Sequence, residues 1–278
     1  MAALILPRRF YSQPSGPVEV DFGNPLSNGL VDTYIPSAIH SSTLIRRYMP
    51  TVSAGTIESG TGPLGRKIDL PAAAVNVGLV IAESADNLFQ SSTDATIFVI
   101  RRSKDTTART SSLFGYSVDN GNRVSAHAPW SDGNLYFDYG GTDTSQRISV
   151  AFAKSTQVEG LVFIAGGGKG REVWRNNVKI AGDAAKTGAR PSSSLSPRIG
   201  AATSDVVSDA DEFYLFGVSR RAWSDAEIKS WFDNPWQLFR PVQPRVLYFD
   251  VAGGGGVTGT ISATWENFTS SITGTTTV

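Results

Sequence analysis

The 278 residues include no cysteine and only two histidines. Without cysteine the chain can form no disulfide and no zinc–thiolate site, and it has no cysteine nucleophile. Two histidines give almost no material for a multi-histidine zinc site or a histidine-based catalytic triad. We therefore expect a fold that is stabilised by packing alone, and a function that does not depend on these kinds of catalytic site.

Charge and long apolar runs are also scarce. The 25 basic and 25 acidic residues balance, and charged residues make up 18% of the chain, below the roughly one quarter that is usual. A balanced, sparsely charged surface argues against nucleic acid as the main partner. No apolar run approaches the roughly 18–20 residues that span a bilayer, and residues 2–6 are too short for a signal-peptide core. We expect no membrane span, and synthesis in the cytoplasm without a signal peptide.

Glycine, serine and threonine are abundant, with 28 glycines alone. Short strand-like segments recur about every ten residues with turn signals between them, which is typical of an all-β sandwich. Residues 253–256 are four consecutive glycines, a composition that predicts a flexible linker. The sequence thus predicts an N-terminal arm over residues 1–16, a sandwich over residues 17–252, and a glycine linker with a Thr-rich, strand-forming tail over residues 253–278.

The clearest local pattern lies between residues 208 and 245. Apolar and aromatic side chains fill residues 213–216, which predicts a strand that packs on both faces. Ser224 and Glu227 have the spacing of a capping box, which predicts the start of a short helix. The Asn-Pro pair at residues 234–235 ends that helix, because proline disfavours helical geometry in the preceding residue.

Four segments in this order resemble the concanavalin A-like, LamG-type jelly-roll superfamily. They are NPLSNGLV (24–31), DATIFVIR (94–101), EVWRNNVK (172–179) and DEFYLFGVSRRAWSDAEI (211–228). Asn177 stands where this family usually has glycine, and Trp223 where it usually has leucine. The segment NPWQLF (234–239) is similar to the version of this module found in tailed-phage virion proteins. The resemblance covers roughly residues 17–250 and implies an antiparallel jelly-roll sandwich with one short C-terminal helix.

The resemblance also implies a function. It predicts a non-enzymatic structural protein of a bacteriophage virion, either a capsid decoration or a tail or fibre subunit, bound to other virion proteins and homo-oligomeric in the particle. The alternative is a glycan-binding module that attaches to host surface polysaccharide. Mixed basic and apolar residues suit a binding surface, so we expect subunit docking through six residues, with disordered termini as the alternative. They are Arg8, Arg9, Phe10, Tyr11, Trp265 and Phe268.

Aromatic rings between residues 127 and 139 are the candidates for glycan contact, because an exposed flat ring can stack on a sugar face. The candidates are His127, Trp130, Tyr136 and Tyr139. Plain surface exposure without a ligand is the alternative for His127.

Oxygen-bearing side chains crowd the same stretch, and oxygen ligands on loops suit calcium. The candidate ligands are Asp132, Asn134, Asp138 and Asp143. Their spacing fits no calcium-loop signature, and turn formation explains these residue types equally well. We expect no other cofactor.

A glycan hydrolase would need two carboxylates at a fixed separation in a cleft. Asp209, Asp211 and Glu212 are the nearest candidates. Jelly-roll glycanases usually carry a Glu-x-Asp-x-(x)-Glu strand, which this sequence lacks. We therefore expect a protein that is not an enzyme.

Overall fold

The computed structural model describes residues 13–14, 17–36, 44–45, 51–52, 56–71, 77–81, 83–200, 209, 211–242, 259–265 and 268–274. The chain divides into two compact units, residues 1–242 and residues 243–278. The predicted boundaries at residues 16 and 252 lie outside the described residues and stay predictions.

The regular secondary structure of the larger unit is mostly β-strand. These are β1 (Val18–Val20), β2 (Leu30–Tyr34), β3 (Thr51–Val52), β4 (Glu58–Gly62), β5 (Gly65–Asp69), β6 (Gly78–Val80), β7 (Ala95–Ser103), β8 (Phe114–Ser117), β9 (Arg123–His127), β10 (Asn134–Gly140), β11 (Arg147–Ala151), β12 (Val158–Ala165), β13 (Arg171–Arg175), β14 (Val178–Asp183), β15 (Arg198–Gly200), β16 (Asp211–Ser219) and β17 (Phe239–Pro241). The α-helices are α1 (Ala85–Leu88) and α2 (Asp225–Asp233), and two 3-10 turns cover Pro25–Ser27 and Pro235–Leu238.

These strands form two large antiparallel sheets. The seven-stranded sheet has the order β11-β10-β9-β8-β15-β6-β3. The eight-stranded sheet has the order β14-β13-β12-β7-β16-β5-β4, and β2 pairs with β16 as its eighth strand. β1 pairs with β17 in a separate two-stranded ribbon. The predicted all-β jelly-roll sandwich with a short C-terminal helix is confirmed.

The eight-stranded sheet buries side chains on both of its faces. In β7, Ile97 and Val99 belong to the core between the two sheets, whereas Phe98 and Ile100 belong to a second core on the opposite face. Strand alternation produces this division, since successive side chains point to opposite faces. A register shift between Phe213 and Leu215 in β16 interrupts the alternation, so that Tyr214 and Leu215 both belong to the second core, whereas Phe213 and Phe216 belong to the first.

Helix α2 covers the second core. Its capping box is formed as the sequence predicts: the Ser224 hydroxyl accepts from the Glu227 amide at 3.3 Å, and the Glu227 carboxylate accepts from the Ser224 amide at 2.8 Å. Trp223, which precedes the helix, and Trp231, which lies within it, are both fully buried against the sheet. The Trp223 ring stacks on Phe98 with centroids 5.0 Å apart, which fixes the helix to the sheet.

The smaller unit contains one described hairpin, in which β18 (Gly259–Trp265) pairs with β19 (Phe268–Gly274). Its register places Trp265 opposite Phe268. The other predicted docking residues, Arg8, Arg9, Phe10 and Tyr11, lie outside the described residues, so the docking role stays a prediction. No helix in the described part of the chain is both long enough and apolar enough to cross a membrane.

We predict that Gly217→Ala destabilises the sandwich by about 1–3 kcal/mol, as overpacking of a filled core does. A methyl group there would lie 2.1–2.9 Å from three atoms of the Phe98 ring, and the stacked Trp223 prevents that ring from moving away. Urea unfolding measures the effect. Gly121→Ala is the matched control, because its nearest atom would be Asp119 Oδ1 at 3.4 Å, and it should change stability by less than about 0.5 kcal/mol. Equal effects of the two substitutions would contradict this packing account.

Candidate functional site

The outer face of the seven-stranded sheet carries polar and aromatic side chains in rows across β9, β10 and β11. Val124, Ala126, Leu135 and Phe137 belong to the core between the sheets, so their neighbours along each strand point outward. The register gives one row of His127, Tyr136 and Ser149, and a second row of Ser125, Asp138 and Arg147. We call these six residues, together with Trp130, Asp132 and Arg123, the outer-face site.

His127 forms part of the floor of this site and is 4% exposed. Its Nδ1 lies 2.7 Å from the Ser111 carbonyl oxygen and therefore carries the proton. Its Nε2 lies 3.3 Å from Ser125 Oγ. Burial disfavours the charged imidazolium and lowers the pKa of His127 to about 4, so the ring is neutral at physiological pH.

Trp130 stands beside this floor and is partly exposed. Its ring meets the edge of the His127 ring, with centroids 4.5 Å apart. The Trp130 amide donates to the Asn134 carbonyl at 2.8 Å, and the Gly133 amide donates to the Trp130 carbonyl at 2.9 Å. The ring is thus held by a tight hairpin turn as well as by His127.

Tyr136 is the second partly exposed ring. Its hydroxyl donates to Asp132 at 2.6 Å, and the Arg147 guanidinium lies 4.5 Å from its ring centroid. The hydrogen bond from Tyr136 stabilises the ionised carboxylate and lowers the pKa of Asp132. The same bond raises the pKa of Tyr136, because the phenol would lose it on ionising.

Asp138 is fully buried at the centre of the site. Arg147 binds its carboxylate in a bidentate pair at 2.6 and 2.8 Å, a strong and directional arrangement. Arg123 approaches the same carboxylate at 3.5 Å. Arg123 and Arg147 keep 17% and 28% of their side-chain surface exposed, so guanidinium groups rather than Asp138 face the solvent.

Tyr139 does not belong to this site, and the prediction that it contacts a glycan is wrong. It is fully buried between the two sheets, because its position in β10 puts it on the face of Phe137. Its hydroxyl donates to the Ser91 carbonyl at 2.7 Å, and the Arg171 guanidinium lies 5.1 Å from its ring. A sugar cannot reach it.

The four predicted calcium ligands do not converge. Asp132 and Asn134 share one turn, where the Asn134 amide donates to Asp132 at 2.9 Å. Asp138 is engaged by two arginines, and Asp143 lies in the next hairpin, where it accepts from Ser145. Among the described residues no three His, Cys, Asp or Glu side chains gather to hold a metal. The four side chains therefore do not form one cluster, and calcium binding stays a prediction.

The three carboxylates weighed for catalysis are all engaged by cations. Asp211 pairs with the fully buried Arg101 at 2.7 Å, and Asp209 pairs with Lys154 at 2.5 Å. Glu212 on the opposite face pairs with Lys67 at 2.5 Å. These ion pairs close one end of the sandwich, where Arg101 also binds Glu159 at 2.9 Å.

Four members of the outer-face site were not among the residues predicted from the sequence, namely Arg123, Ser125, Arg147 and Ser149. Strand alternation from Tyr136 to Asp138 could have indicated one outward row. The pairing of Asp138 with Arg147 depends on the β10–β11 register, which no sequence pattern here specifies. The resulting site offers two rings, two guanidiniums and hydroxyl groups, a set suited to binding polar, ring-shaped ligands.

Several solved structures share this fold. Domain 4 of a GH43 extracellular arabinanase from Geobacillus stearothermophilus, in complex with arabinotriose, matches with a TM-score of 0.59 and 16% identity over 72% of this chain and 97% of that chain. The binding domain of Paraclostridial Mosquitocidal Protein 1 matches with a TM-score of 0.56 and 16% identity over 74% of this chain and 52% of that binding domain. Trypanosoma rangeli sialidase in complex with sialic acid matches with a TM-score of 0.56 and 15% identity over 76% of this chain and 34% of the sialidase.

At these identities the likeness shows the fold alone. The chain spans about half of the toxin binding domain and about a third of the sialidase. No family model and no curated protein matches the sequence.

We predict that His127 makes the folded state less stable as the pH falls from about 6.5 to about 4. In this window the unfolded chain binds a proton at its ordinary histidine pKa of 6.5, whereas the folded ring, with a pKa of about 4, stays neutral. Below about pH 4 this histidine contributes no further change. His127→Gln should flatten the pH dependence of the unfolding free energy between pH 6.5 and 4, and urea unfolding at a series of pH values measures it.

Carboxylates with lowered pKa, such as Asp105, which forms ion pairs with Arg109 and Lys154, give a separate loss of stability in more acidic solution. That loss should persist in the His127→Gln variant. A variant whose pH profile matches that of the unmodified protein between pH 6.5 and 4 would show that His127 is not held neutral by burial.

Proposed function

We propose that this protein is a non-enzymatic glycan-binding module and that the saccharide lies on the outer-face site. The observation that carries the proposal is the pair of partly exposed rings, Trp130 and Tyr136, held rigidly beside two guanidiniums. Rings fixed in advance bind with little loss of side-chain entropy. The similar structures solved with arabinotriose and with sialic acid support a carbohydrate ligand.

We further propose that the bound saccharide is uncharged. Two carboxylates, Asp132 and Asp138, accompany the two guanidiniums of Arg123 and Arg147, so the charges of the site compensate one another. Such a site favours hydroxyl groups, which both donate and accept hydrogen bonds, over a carboxylate. Binding should then depend little on salt, since an uncharged saccharide has no charge–charge interaction with the site for salt to screen.

Absence of catalysis forms part of the same proposal. A retaining or inverting hydrolase needs one carboxyl group that is protonated and can donate. Asp138 is enclosed by arginines, and the lowered pKa of Asp132 keeps that group ionised at neutral pH. Neither residue suits the role of general acid.

Assembly of this module into a phage virion is the second candidate. The resemblance of residues 211–239 to a virion module suggests this role. The hairpin of residues 259–274 also favours it, because an isolated two-stranded hairpin is marginally stable and gains stability by pairing with another chain. The similar structures named above include no virion protein. Mass spectrometry of purified particles tests this role, and absence of the chain from them would contradict it.

We predict that Trp130→Ala weakens saccharide binding about tenfold or more, which corresponds to about 1.4 kcal/mol, because it removes the stacking ring. Calorimetric titration of the full chain with arabinotriose, maltotriose and sialyllactose measures this effect. Val178→Ala is the matched control, since Val178 is an exposed apolar residue (60%) on the β13–β14 hairpin, and its affinity should equal that of the unmodified protein.

Equal loss in both variants, or none in Trp130→Ala, would contradict the assigned site. Release of reducing ends from any of the three sugars would contradict the non-enzymatic role. A clear preference for sialyllactose that weakens with salt would contradict an uncharged ligand.

A further inference from the structure

A second concave surface lies at the first of the family-like segments. A cavity of about 580 Å³ is lined by Phe22, Ile45, Gln90, Arg220 and all residues from 23 to 31 except Leu26. This volume falls within the range of ordinary small-molecule sites, which is roughly 300–1,000 Å³. None of these residues belongs to the outer-face site.

Phe22 is the unusual member of this cavity, because 68% of it is exposed. The turn that presents it is held firmly: Asp21 Oδ1 accepts from the Gly23 amide at 3.0 Å, and the Asp21 carbonyl accepts from the Asn24 amide at 3.0 Å. Asn24 is itself anchored, since its side-chain amide donates to the Gln237 carbonyl at 3.0 Å. A large apolar ring is thereby fixed in solvent rather than folded into the core.

Side chains with planar amide or guanidinium groups line the same cavity as this ring. Asn28, Gln90 and Arg220 are exposed and line the same cavity. The Arg220 amide donates to the Gly29 carbonyl at 2.9 Å, which ties the two sides of the cavity together. Amide and guanidinium groups beside an exposed ring are the chemistry that recognises the apolar face and the hydroxyl edge of a sugar.

We propose that this cavity is a second saccharide site, in which a sugar unit stacks on Phe22 and its hydroxyls bond Asn28, Gln90 and Arg220. The proposal goes beyond the function proposed for the outer-face site, and it stands on different residues. It makes the larger unit bivalent for glycans.

The two sites lie at opposite ends of the central strands. Ser219 pairs with Thr96 at the beginning of β7, and Arg220 of the cavity follows Ser219 directly. At the other end of β7, Arg101 donates to the Ala128 carbonyl at 2.6 Å, two residues before Trp130. Thr96 and Arg101 are five residues apart, which corresponds to about 17 Å along β7 at roughly 3.3 Å per residue. One long polysaccharide, or two neighbouring chains, can therefore occupy both sites and gain avidity.

Calorimetric titration of the full chain with arabinotriose, maltotriose and sialyllactose tests this proposal through stoichiometry. We expect two molecules of a binding sugar per chain in the unmodified protein, and one in Phe22→Ala or in Trp130→Ala. The double variant should bind none. Phe22→Trp, which keeps a ring, should retain two, and Val178→Ala controls for removal of an exposed apolar side chain elsewhere.

Phe22 is exposed, so Phe22→Ala should keep the melting temperature of the unmodified protein, and Gln90→Ala provides a second, independent variant of the cavity. A stoichiometry of one that Trp130→Ala abolishes and Phe22→Ala leaves unchanged would overturn the second site while the outer-face site stands. A stoichiometry of one that Phe22→Ala abolishes and Trp130→Ala leaves unchanged would support the cavity and contradict the outer-face site. No binding of any of the three sugars at millimolar concentration would overturn both.

Discussion

Burial of both faces of the eight-stranded sheet is the constraint on which the remaining architecture depends. One face packs against the seven-stranded sheet, and the other packs beneath α2, where Phe98, Trp223 and Trp231 are fully buried. The central strands β7, β12 and β16 are then almost entirely buried and present no surface to a ligand. Among the described residues this leaves the outer face of the seven-stranded sheet, and the ends of the strands, as the places where polar and aromatic side chains gather.

Charge pairing is the second organising feature, and it acts in two ways. At one end of the sandwich Arg101 satisfies Glu159 and Asp211 in a setting without solvent, where loss of one partner would leave a costly buried charge. On the outer face Arg147 and Asp138 form a similar pair, but there the guanidinium remains partly exposed. The first pair supports the fold, and the second pair holds a surface in a fixed arrangement.

Much of the fold could be predicted from the sequence because local rules decide it. The Ser224–Glu227 spacing predicts the start of α2, and the unbroken run of apolar and aromatic side chains at residues 213–216 predicts a strand that is buried on both faces. Asn176 and Asn177 adopt positive φ angles of 48° and 72°, so asparagine serves in the hairpin position where the family usually has glycine. The Asn-Gly pair at residues 120–121 is typical of a tight hairpin turn. These residues do connect β8 to β9, where the Asp119 carboxylate accepts from the Gly121 and Asn122 amides.

The site was less predictable, since it depends on which strands pair and in what register. Tyr136 and Tyr139 look alike in sequence, yet their odd separation of three positions puts the two rings on opposite faces of β10. Arg147 comes from the next strand and meets Asp138 only through the β10–β11 register. The cavity beside Phe22 joins four parts of the chain, namely the segment that begins at Phe22, Ile45, Gln90 and Arg220, and no local pattern brings them together.

The most direct test of the account is a nuclear magnetic resonance titration of the nitrogen-labelled full chain with arabinotriose, maltotriose and sialyllactose, in which the shift of each amide is followed. The account predicts that the largest changes caused by a binding sugar include residues 127–136 and 147–149, around the rings and guanidiniums of the outer-face site. Changes that spare those residues, or no change with any of the three sugars at millimolar concentration, would contradict it.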